Sequence, residues 1–122
     1  MTRVAVILAV LLLLLLAGCA ARPSGPVTPV IDSAEITDGQ LLASGTVSGV
    51  AEDGGLCQFT FWAENGEASR LTTTGVAAGD HTECPEVGEA VTMLLPGSYE
   101  LVLTYRSGAV VERSEPFDLV IP

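Results

Sequence analysis

Apolar and polar residues alternate with a period of two over several stretches of this chain. Residues 40–50 place Leu41, Ala43 and Val47 on one face and Ser44, Thr46 and Ser48 on the other. Cys57, Phe59, Phe61 and Ala63 share a face opposite Gln58, Thr60, Trp62 and Glu64. Tyr99, Leu101, Leu103 and Tyr105 share another, as do Phe117, Leu119 and Ile121. Side chains alternate across a strand, so this pattern predicts strands with one face on a core and one in solvent. No stretch after residue 18 sustains a helical period. Residues 67–80 are poorly patterned and predict no clear element.

Turn signals separate these stretches: Asp38-Gly39, Glu52-Asp53-Gly54-Gly55, Asn65-Gly66, Gly79-Asp80, Pro96-Gly97 and Ser107-Gly108. Asp-Gly and Asn-Gly tolerate the positive φ of two-residue hairpin loops. About seven strands in about 90 residues predict an all-β fold, a single β-sandwich rather than a closed barrel. The segment Leu95-Pro96-Gly97-Ser98-Tyr99 resembles the bend before the sixth strand of immunoglobulin-like and fibronectin type III-like domains. That resemblance implies a Tyr99 hydroxyl turned back onto nearby backbone. The antibody pattern is departed from at Leu101, where a cysteine would stand, and at Trp62, which falls on the polar face.

The first 18 residues are of another kind. Arg3 is their only charge, and residues 4–17 are an unbroken apolar run, the form of a secretory signal peptide. Leu16-Ala17-Gly18-Cys19 resembles the lipobox of bacterial lipoproteins, which implies cleavage between Gly18 and Cys19 and a lipid-bearing Cys19 thiol. Two acyl chains hold a protein on a bilayer far better than one, at about 0.8 kcal/mol per buried methylene. An uncleaved membrane span and a plain secretory signal are the competing readings. The span would be short and would lack a basic stop-transfer cluster beyond Arg22. Pro23, Ser24, Gly25, Pro26 and Pro29 then read as an extended tether, at about 3.1 Å per residue. The expected organisation is a signal peptide over 1–18, a lipidated cysteine and tether over 19–29, and the sandwich over 30–122.

Removing the leader changes the charge picture. All 15 acidic residues follow it, against four arginines and no lysine. Such a domain lacks the basic patch that nucleic acid requires and is repelled by anionic headgroups. Net charge of this size keeps a small extracytoplasmic domain soluble.

Of the three cysteines, Cys19 is spoken for by lipid, which leaves Cys57 and Cys84 as an even pair for a disulfide outside the cell. The alternative is a thiolate site in which His81 joins Cys57 and Cys84 around zinc or copper(I). No metal or other cofactor is expected if the bridge forms. The run from Ser44 to Cys57, a second cysteine at 84 and Pro96-Gly97-Ser98-Tyr99 together resemble small Ig-like lipoproteins of actinobacteria. That resemblance implies fold and address and brings no activity with it.

Catalytic constellations are missing. There is one histidine, and Gly45-Thr46-Val47-Ser48-Gly49 lacks the spacing of a nucleophile elbow. Glu64 with Glu67 and Glu83 with Glu86 flank turns and read as solvated charge, and Glu52-Asp53-Gly54 is too short for an EF-hand loop. An enzyme is not expected. Trp62 is the candidate contact residue: alternation turns it outward, where it would meet a partner unless residues 67–80 cover it. The expected function is a membrane-anchored binding module for an envelope protein or a glycan. A spacer or accessory role without a specific ligand is the alternative.

Overall fold

A computed structural model describes residues 24–122. The leader, Gly18, Cys19 and Arg22 lie outside the described residues. Nine strands follow in chain order: β1 (Thr28–Thr37), β2 (Gln40–Ser48), β3 (Leu56–Ala63), β4 (Gly66–Thr74), β5 (Val76–Ala78), β6 (His81–Ala90), β7 (Gly97–Ser107), β8 (Val110–Arg113) and β9 (Phe117–Ile121). A single 3-10 turn, Val91–Met93, joins β6 to β7. The strands form two antiparallel sheets, β1-β2-β6-β5 and β4-β3-β7-β8, with β9 also paired to β7. Their inner faces make the core of a β-sandwich with an immunoglobulin-like strand arrangement.

The alternation accounts for the burial. Leu41, Ala43 and Val47 from one sheet meet Phe59, Phe61, Leu101 and Leu103 from the other, all of them buried. Phe117, Leu119 and Ile121 close the same core along β9. The β1–β2 hairpin turns on Asp38 and Gly39, both at positive φ (52° and 75°), as a type I′ loop requires. The next hairpin departs by one residue from the expected turn. Ala63 pairs with Gly66, so Glu64 and Asn65 make the turn and Gly66 takes the positive φ.

Two features raise the strand number above seven. Residues 67–80, unpatterned in sequence, supply β4 and β5, edge strands with few buried side chains. The last strand is split by one extra residue. Thr104 pairs with Arg113 and Leu101 with Phe117, so two residues on β7 face three on the other side. Pro116 has no N–H to give. Ser114 fills the gap, its backbone N–H donating to the Leu103 carbonyl at 2.8 Å and its hydroxyl accepting from the Leu103 N–H at 2.9 Å.

Three devices fix the layers. Cys57 on β3 and Cys84 on β6 form a disulfide between the sheets, with Cα atoms 5.9 Å apart and both side chains buried. The Tyr99 hydroxyl donates to the Leu95 carbonyl at 2.5 Å, the bend implied by the resemblance. At the opposite end, the buried Tyr105 hydroxyl donates to the Glu52 carboxylate. Beside it the Thr82 hydroxyl donates to the Val50 carbonyl at 2.9 Å and accepts from the Glu52 N–H at 3.1 Å. This knot draws the 49–55 loop onto the core. Gly55 seats the Tyr105 ring, which occupies the space a Cβ would need. The N-terminal strap is held at the same end, where the Ser24 N–H donates to the Gly49 carbonyl at 2.7 Å. The domain is therefore gripped from Ser24, within the 19–29 stretch expected to be a tether.

Candidate interaction face

The outward face of the β4-β3-β7-β8 sheet follows from register alone, because directly paired residues project to the same side. At one level Trp62 pairs with Glu100, and Glu100 with Asp118. Next, Arg70 pairs with Thr60, and Thr60 with Val102. Then Gln58 pairs with Thr104 and Thr104 with Arg113, followed by Leu56 with Arg106 and Arg106 with Val111. Trp62 is 41% exposed on this face. Residues 67–80 do not cover it, because β4 lies beside β3 in the sheet.

Charge is distributed unevenly over the domain. The three arginines among the described residues, Arg70, Arg106 and Arg113, all stand on this face. With Gln58, Thr60 and Trp62 they line a depression of about 280 Å³. On the other side of Trp62 a wider depression of about 530 Å³ is bordered by Glu64, Glu100 and Asp118. The indole thus stands at the boundary between a cationic and an anionic half. Arg70 is held by Glu67 through two contacts, of 2.9 and 3.2 Å. Arg106 Nε donates to Gln58 Oε1 at 3.1 Å. Arg113 forms no ion pair among the described residues. Such exposed contacts contribute little to stability, so the arginines remain open to exchange partners.

Apolar exposure gathers here too. Leu56, Trp62, Val111 and Val120 are exposed and all project from this face. Thr60 and Thr104 lie buried between the longer side chains. The outer face of the other sheet exposes Val30 and Val76 but differs in charge. It carries Asp32, Glu35 and Glu83 and no arginine.

The cysteine–histidine cluster is not assembled. Both sulfurs are joined in the disulfide, and His81 projects from the opposite face of β6, part-exposed. Its Nδ1 lies 3.1 Å from Asp80 and its Nε2 3.6 Å from Glu83. The hydrogen bond to Asp80 raises the His81 pKa above the ordinary imidazole value. Among the described residues no group of three or more His, Cys, Asp or Glu side chains is placed to hold a metal. Glu64, Glu67, Glu83 and Glu86 are all exposed, in keeping with solvated charge.

Of the candidate residues, Trp62 stands where alternation put it, and Cys57 and Cys84 meet as expected. The arginine cluster was not foreseen. Arg106 continues the outward series Glu100, Val102 and Thr104 and was legible in principle. Arg70 and Arg113 lie on strands with no alternation to fix their side.

No family model matches this chain, and no curated protein matches it. Among solved structures it is similar to the solution structure of R. palustris CsgH, at 17% identity, over 78% of this chain and 92% of that one, with a TM-score of 0.42.

Proposed function

We propose that this chain is a lipid-anchored envelope protein whose domain is a binding module, docking its partner on the Trp62 face. The observation that carries the reading is the coincidence, on one sheet face, of the chain's only tryptophan, three further exposed apolar side chains and every described arginine of an otherwise acidic domain. An exposed tryptophan flanked by arginines is the composition of an interface hot spot. No group of three or more metal-ligating side chains competes for the role among the described residues.

The address rests on Leu16-Ala17-Gly18-Cys19, and the buried disulfide agrees with an oxidising compartment. Wild-type protein is expected to take up labelled palmitate, and Cys19→Ala is expected to lose the label and leave the membrane fraction. Equal labelling of the two would end the lipoprotein reading. Docking on the Trp62 face predicts that the indole is shielded in intact cells and open in the purified chain. An indole equally open in both would leave the domain as a spacer.

A further inference from the structure

We infer that the Trp62 face pairs with the same face of a second copy of this chain, turned end over end. The inference rests on the docking reading above and names its partner.

Charge favours a second copy at this face. Over most of its surface the domain presents carboxylates, so two copies repel one another from most approaches. The Trp62 face is the exception, since its arginines nearly balance Glu64, Glu67, Glu100 and Asp118. The charges are also sorted along the strands, carboxylates on the Trp62 level and beyond, Arg106 and Arg113 toward the other end. A two-fold axis crossing the strands at the level of Thr60 and Val102 exchanges these halves. It lays Arg113 against Asp118 of the second copy and Trp62 against Gln58 of the second copy, each twice, because the contact is isologous; Arg70, on the axis level at the β4 edge, faces Arg70 of the second copy, each neutralised by its own Glu67. The pairing levels support this directly: Arg113 stands two residues from Val102 in one direction along β7, Asp118 two in the other. An anionic glycan suits the face less well, because a chain covering both Trp62 and the arginines would also lie on Glu100 and Asp118.

Size sets the strength. Four strands at ~4.8 Å and eight residues at ~3.3 Å give roughly 500 Å² per copy, about 1,000 Å² in all, the lower limit of specific interfaces. Such a pair is weak in free solution and is favoured where a lipid anchor confines both copies to one membrane. The geometry permits that arrangement. β1, which follows the strap, packs at the same edge as β8, so with this edge toward the bilayer both straps reach it from opposite ends.

The test is oxidative crosslinking of the full chain in its own membranes. With Cys57 and Cys84 bridged and Cys19 lipidated, a Val102→Cys variant offers one free thiol near the axis. It is expected to give a crosslinked dimer, and Glu35→Cys, on the opposite sheet, none. Adding Arg113→Glu or Asp118→Arg lowers the Val102→Cys yield about tenfold or more, and both together restore it. No dimer, equal dimer from Glu35→Cys, or a doubly reversed chain that fails to recover overturns the inference. If Trp62 is nevertheless shielded in cells, the face docks a different partner and the proposed function stands. If it is open, both fall.

Discussion

Replacing Cys57 and Cys84 together with alanine lowers the free energy of unfolding by about 3.5 kcal/mol. The bridge joins residues 27 apart in sequence, and closing a loop of that length in the unfolded chain removes conformational entropy of about this size. Its place in the fold adds to the effect. Cys57 and Cys84 are 0% and 1% exposed, so alanine leaves space in a core that alternation fills closely. Domains of this kind are held by about 5–15 kcal/mol in total, so the bridge accounts for a quarter or more of the whole. Urea denaturation of the wild type and the double variant measures it. A midpoint unchanged by the double substitution would mean that the sandwich does not depend on its inter-sheet tie. Reducing agent is expected to shift the wild type in the same direction and to leave the double variant unmoved.

The second large effect is expected at the Tyr105 knot. Its hydroxyl donates to the Glu52 carboxylate, a bond to a charged acceptor, and Tyr105→Phe is expected to cost about 1.5–3 kcal/mol. Alkaline pH reaches the same group. Burial, reinforced by Glu52, pushes the Tyr105 pKa from 10.0 up to about 12. The folded chain therefore keeps this proton where the unfolded chain has lost it. The contribution is fully present below pH ~10 and disappears as pH rises from about 10 to 12. Stability measured across that window is expected to fall in the wild type, and Tyr105→Phe is expected to fall less steeply. Equal slopes would show that the hydroxyl is free to ionise in the folded state. Gly55→Ala attacks the same seat from the other side, because its methyl group and the Tyr105 ring compete for one volume.

Much of this fold is written in the chain, and the exceptions have physical causes. Strands with one buried face, such as β2, β3 and β7, reveal themselves by alternation, since each inward residue must be apolar. The edge strand β4 buries little, so Glu67, Ser69, Arg70 and Thr72 face no such demand and leave no pattern. The split between β8 and β9 was also hidden. Pro116 signals a break, but only the register shows that one ladder resumes beyond it. The bridge was legible from cysteine parity once Cys19 was set aside, and it removes the thiolate site that the local sequence also allowed. The candidate face was half legible. Trp62 and Arg106 lie in alternating strands whose outward side is fixed by their buried neighbours. Arg70 and Arg113 gain their meaning from pairing partners far away in sequence, and pairing is what the sequence does not print.

On the proposed function, the Trp62 face is covered by a partner where the protein works. Hydroxyl-radical footprinting tests it most directly, because Trp62 is the chain's only tryptophan and Met93, 71% exposed in the turn before β7, serves as an internal reference. Oxidation of Trp62 relative to Met93 is expected to drop several-fold in intact cells compared with the purified, detergent-solubilised full chain. The same ratio in cells and in detergent would contradict the account.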